Sequence, residues 1–231
     1  MTFKEIQDLV LDNAQELQSM TDFSLTKVKQ YINRAYYDFV RQTRSIELDI
    51  DITTVADQEY YTSSDAANLA YVYDIYEVRY IDTLTTSPVA AAEYGDILVP
   101  TPHKDLRDKW SSGTPDQYWV KNSNSRGSFK IGTYPIIATS GLILRVSAYM
   151  FPLVDLAANS DEPIIREAWQ DALVEHASHK IFKAYSHLKP EYRQRSKDHL
   201  AEYQIYVHDA KTVSDEQKDR NTIIQDVYNT Y

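Results

Sequence analysis

"WQDALVEHASHKIFKAYSHL" (Trp169–Leu188) sets one carboxylate, Glu175, and two imidazoles, His176 and His179, within five positions and adds a third imidazole at His187. Such a group is either the start of a metal site or one side of a helix-packing seam. The choice decides whether the chain is built as an enzyme or as a structural component. At about 100° per residue, His176 and His179 lie about 60° apart, on the face that also carries Ile165, Ala168, Trp169 and Ala172. That face is apolar, and Glu175 turns toward the polar side. A zincin helix needs H-E-x-x-H, and the inverted order H-x-x-E-H fails because Ala172 stands where the first His belongs. Two imidazoles without a third ligand do not make a zinc site. The expectation is therefore structural: His176 and His179 hydrogen-bond between helices or at a subunit contact. No metal ligand, cofactor site or catalytic residue is assigned.

Helical period also opens the chain. Thr2 and Glu5 have capping-box spacing, and Ile6, Leu9, Val10, Leu17 and Met20 follow on one face. After "TDFS", the residues Leu25, Val28, Ile32, Ala35, Tyr36 and Phe39 predict a second helix to about Thr43, antiparallel to the first. Asp161 as a cap and Pro163 in the first turn predict a third helix, and a fourth follows Pro190 with Tyr192, Leu200, Tyr203, Tyr206, Val207 and Ala210 on its stripe.

Between the helix pairs the period changes to two. In "IELDIDIT", Ile46, Leu48, Ile50 and Ile52 alternate with Glu47, Asp49, Asp51 and Thr53, a half-buried strand. Further strands are expected at 73–81, 117–121, 129–131 and 142–150, with "NSNSRG" as a hairpin turn and a short helix near His103–Trp110. The fold class is α+β: a helical bundle made from N- and C-terminal helix pairs, with an inserted antiparallel β-rich domain and a C-terminal extended arm. The expected division is 1–45 and 161–213 for the bundle, 46–160 for the β-rich insert and 214–231 for the arm.

The chain has 231 residues, enough to bury about 70–75% of its unfolded surface without staples. It contains no Cys, which excludes disulfides and thiolate chemistry and suits assembly in a reducing cytoplasm. Neither a secretory signal nor a membrane span is legible, so a soluble protein is expected. The 24 Lys and Arg against 34 Asp and Glu leave a net charge of −10, which opposes dedicated nucleic-acid binding. The 19 Tyr suit core edges and protein interfaces alike.

Other candidate sites fall to simple tests. "GSFKIGT" (127–133) has phosphate-loop glycine spacing, but Thr133 replaces the lysine and its flanks read as strands. No G-x-S-x-G elbow occurs. Glu47, Asp49 and Asp51 share one strand face and could hold a hard cation, yet they read better as an exposed acidic face, one that would discourage DNA from adhering if it bordered a channel. "KPEYRQRSK" reads as a solvated or interface face.

Taken in order, "KVKQYINRAYYDFVRQ", "QEYYTSSDAANLAYVYDIYEVRYID", "GTPDQYWVKN", "SFKIGTYP", "LILRVSAYMFP" and "EPIIREAWQDALVEHASHKIF" resemble the head-to-tail adaptor proteins of tailed bacteriophages, including the tail tubular proteins of short-tailed phages. The resemblance spans about residues 3–206. Thr62 and Ser63 stand where Leu-Pro often follows the tyrosine, so the turn there is expected to differ. The resemblance implies a non-enzymatic ring, usually of twelve neighbouring copies, beneath the portal protein, with neck or tail proteins on its other side and DNA passing non-specifically through it. It implies no cofactor and no membrane. Family members commonly grip the portal with C-terminal segments, and here Ile223, Ile224, Val227, Tyr228 and Tyr231 follow the polar "SDEQKDRN", giving a docking arm that fits a helix in a groove or an added strand. A different neck or tail-completion protein is the alternative, and a metal-dependent hydrolase on the histidine helix the remote one.

Overall fold

The computed structural model describes residues 1–81, 95–106, 111–121 and 129–228, with side chains as far as Val213. The chain is α+β and divides into two compact units, one formed by Met1–Ile46 with Val154–Tyr231 and the other by Glu47–Leu153.

In the helical unit, α1 (Phe3–Asn13) opens with the capping box: Thr2 Oγ1 accepts from Glu5 N–H and Glu5 Oε2 accepts from Thr2 N–H at 2.7 Å. The first helical amides are satisfied from far along the chain. Phe3 N–H donates to Asp161 O at 2.6 Å and Lys4 N–H to Asn159 O at 3.1 Å. These orphan donors would otherwise cost desolvation free energy. Thr2→Ala is expected to lower stability by about 1 kcal/mol, read by urea denaturation. The helix stops at Asn13, earlier than the periodicity predicts, and a 3-10 turn at Gln15–Leu17 carries Leu17 into the core while Leu9 stays 41% exposed.

The second helix, α2 (Leu25–Thr43), is capped by Ser24 and ends on Arg44 in the left-handed region, φ 55°. Its buried stripe is Val28, Ile32, Ala35, Tyr36, Phe39, Val40 and Thr43. Polar residues beside this stripe hold the returning chain. The Asn33 amide accepts from Leu156 N–H at 2.9 Å and donates to Leu156 O at 3.0 Å, and Tyr36 Oη accepts from Ile164 N–H at 2.7 Å.

That return explains a correction. Asp161 does not cap a helix; its carboxylate accepts from Ala157 and Ala158 N–H, each at 2.8 Å, while its carbonyl serves α1. With both groups engaged, the chain stays irregular, Ala168 is exposed, and only a 3-10 turn at Glu167–Trp169 precedes the third long helix. That helix and the next are numbered α4 (Asp171–Ala184) and α5 (Pro190–Tyr228), because the short α3 (His103–Leu106) precedes them in the chain. The backbone of α5 runs helical to Tyr228.

The β unit holds a four-stranded antiparallel sheet in the order β1 (Glu47–Thr53), β9 (Ile143–Met150), β2 (Val72–Ile81), β3 (Asp96–Ile97). Ile50, Ile52, Val78, Tyr80, Leu144, Val146 and Ala148 form its buried side. A smaller sheet joins β4 (Val99–Pro100), β6 (Gln117–Lys121) and β7 (Lys130–Tyr134), and β5 (Ser112–Gly113) pairs with β8 (Ile136–Ile137). The "GSFKIGT" stretch is thus strand from Lys130 onward; the "NSNSRG" turn and residues 107–110 of the His103–Trp110 stretch lie outside the described residues. At the departure from Leu-Pro, Asp65 Oδ2 accepts from Thr62 N–H at 2.7 Å and closes a short turn.

Candidate functional site

The imidazoles of the opening stretch lie in the seam between α4, α5 and α2. His176 and His179 are 4% and 6% exposed, which places both inside the bundle. His179 is engaged through Nδ1. Its Nδ1 lies 2.7 Å from Ser196 O, a carbonyl that only accepts, so Nδ1 carries the proton; Ser196 Oγ–H in turn donates to His179 O at 3.3 Å. This reciprocal pair ties α4 to α5.

His176 stacks on Tyr203 with ring centroids 4.4 Å apart and 14° between planes. Its Nδ1 is buried without a hydrogen-bond partner, 3.7 Å from Asp38 Oδ2. Asp38 is occupied elsewhere, since the same oxygen accepts from Gln42 Nε2 at 2.7 Å and from Tyr203 Oη–H at 2.9 Å. Burial holds His176 well below the usual histidine range, at about 4, against the opposing pull of Asp38; burial lowers His179 as well. Burial, then the Asp38 charge, pushes the Tyr203 phenol up, so it remains a donor. Glu175 accepts from His199 Nδ1 at 2.7 Å, and His199 stacks on Phe182. His187 is exposed, at the loop that follows α4. Among the described residues, no group of three or more His, Asp or Glu could hold a metal ion.

Sequence reasoning missed Asp38, Gln42, Ser196 and His199. The available signal was spacing: Ser196 and His199 lead to Tyr203 by steps of three and four along α5, so they adjoin its apolar stripe.

On the exposed side of the β unit, Glu47, Asp49 and Asp51 project from β1. They do not converge on a common point. Asp51 is held bidentately by Arg145, with both bonds 2.7 Å, directly across the ladder. Asp49 accepts from Ser147 Oγ–H at 2.6 Å, likewise its cross-strand neighbour. Hydrogen bonding to Asp51 raises Arg145 above the ordinary guanidinium range. Tyr76 lies against this face, and its partial burial, then Glu47 and Asp49, push its phenol up to about 12. In the basic stretch, Arg195 pairs with Glu16 at 2.7 Å while Lys189, Arg193 and Lys197 are exposed.

Of the arm residues, Ile223, Ile224, Val227 and Tyr228 fall on the helical backbone of α5, and Tyr231 lies outside the described residues. No helix among the described residues is long and apolar enough to cross a membrane.

His176 and His179 are engaged in helix packing, and Asp49 and Asp51 in a strand ladder; the class of the protein, a phage head-to-tail adaptor, comes from its family match. The SU10 adaptor protein family matches residues 1–225, and the chain belongs to that family. No curated protein matches the chain. Membership makes it a virion component that works with portal and tail proteins.

Proposed function

We propose that copies of this chain form a ring beneath the portal vertex, linking portal protein to neck or tail proteins around the passage for DNA. The family match over residues 1–225 carries this reading. The copy number is twelve, following the family resemblance. Free in the host cytoplasm the chain is monomeric, because the portal supplies a template and raises the local concentration of copies. The net charge of −10 suits a wall that moving DNA does not adhere to. No step of this role needs catalysis or a cofactor.

The docking element is the C-terminal segment, 214–231. In the sequence, spacings of one, three and one between Ile223, Ile224, Val227 and Tyr228 fit a helix laid in a partner's groove, and the β-branched residues fit an added strand. Tyr231 completes the apolar set. Deleting Asn221–Tyr231 is expected to leave the melting temperature of the isolated chain nearly unchanged and to abolish retention on immobilised portal rings. Equal retention of the truncated and complete chains would move the contact to the bundle. Localisation of the chain at the tail tip, away from the portal, would refute the ring reading.

A further inference from the structure

We propose that the outer edge of β1 accepts an extended, basic segment of another virion protein as an added strand. β1 is the end strand of the four-stranded sheet. All seven of its residues stay in register with β9, whereas β2 carries two register shifts. Thr54 N–H donates to Leu142 O, which sets the phase of the ladder: Leu48, Ile50 and Ile52 turn their backbone groups toward β9. Glu47, Asp49, Asp51 and Thr53 therefore turn N–H and C=O outward in the plane of the sheet. All four residues are exposed, and no backbone partner meets these outward groups among the described residues.

Open edges are normally blunted by proline, a bulge, lysine or a covering element. β1 has none of the first three. Its solvent face instead carries three carboxylates, of which Asp51 pairs with Arg145 on the neighbouring strand. A strand laid beside it would place side chains about 4.5–5.5 Å from Glu47, Asp49 and Asp51. A second copy of β1 would set carboxylate against carboxylate, whereas Lys or Arg at alternate positions would complete the ladder. Beneath, Leu48 is 36% exposed and offers an apolar shoulder to the other face of the incoming strand. This inference rests on the adaptor reading only in taking the partner from the virion. It gives the carboxylates a protein to recognise instead of a place on the channel wall.

The test compares the free full-length chain with assembled particles. Residue-resolved hydrogen exchange is expected to slow by about tenfold or more at Glu47, Asp49, Asp51 and Thr53 on assembly, with Leu48, Ile50 and Ile52 slow in both states. Benzoylphenylalanine at Thr53 is expected to cross-link to a different virion protein, in a peptide with alternating Lys or Arg. Asp49→Pro removes one outward N–H without taking a ladder bond, and the pair Glu47→Lys with Asp49→Lys keeps the backbone but reverses the charge. Both are expected to lose that cross-link while the purified chain melts cooperatively; should the proline variant misfold, the charge reversal alone decides. Unchanged exchange, cross-links to another copy or to DNA, or a charge-reversed chain that keeps its partner would each overturn the proposal. Copy number and position come from the same particles, so a portal ring with an open β1 edge defeats this inference alone, and a protected edge far from the portal defeats the ring alone.

Discussion

Acidification from pH 7 to pH 4 is expected to remove about 3 kcal/mol of stability through His176, because its pKa falls from 6.5 to about 4 on folding. The sign follows from which state takes the proton. Well above pH 6.5 His176 is neutral in both states and adds no pH dependence. Below that value the unfolded chain binds a proton that the folded chain refuses, so stability drains away until the buried ring also titrates near pH 4. The charged and titratable groups around the ring are Asp38 on α2, His179 and Lys180 on α4, and Tyr203 on α5. Asp38 is the one that favours the proton, but its oxygen is already committed to Gln42 and Tyr203 and stands 3.7 Å away. Urea denaturation at pH 7.5 and pH 4.5 checks this, with wild type losing clearly more stability than His176→Gln or His176→Leu. Equal slopes in all three would place the acid response elsewhere. The assignment of both imidazoles to packing predicts in addition that the native protein carries no stoichiometric zinc; tight zinc lost in a His176→Gln, His179→Gln chain would reverse it.

Gly132→Ala is expected to destabilise the β unit by about 3 kcal/mol, the upper end of ordinary overpacking. Gly132 sits on β7 directly opposite Trp119 on β6. A Cβ at this position would come within 2.3 Å of the indole carbons, closer than side-chain atoms approach one another. The indole is 6% exposed and also meets Tyr60 and His103, so it has little room to swing away. The glycine is therefore a recess cut for one side chain. Thermal melts of Gly132→Ala, Trp119→Leu and the double variant decide the matter. If the alanine acts by filling the indole's place, the double variant loses much less than the sum of the two singles. Strict additivity would mean that the glycine is needed for its backbone alone.

The helix–sheet–helix order, the seam position of His176 and His179 and the alternation in β1 were all legible in the chain, because each rests on a period that local geometry imposes. Side chains recur every 3.6 residues along a helix and every second residue along a strand, whatever lies around them. The Thr2–Glu5 capping box was legible for the same reason, since both partners lie within one turn. Where local rules failed, a distant partner had outbid them. Asp161 has the chemistry of a cap, but its carbonyl is drawn to Phe3 N–H and its carboxylate to Ala157 and Ala158, leaving no helix for it to start. The occupation of Asp38 by Gln42 and Tyr203, which leaves His176 Nδ1 facing it unpaired, likewise joins three helices. Sequence by itself determined the class of fold and which faces are apolar, because hydrophobic period is a property of the segment. Only the tertiary structure decided which polar atoms meet, and hence that the imidazoles hold helices together and that the carboxylates of β1 lie along the end strand of its sheet, because hydrogen bonds are directional and their partners lie up to 179 residues away.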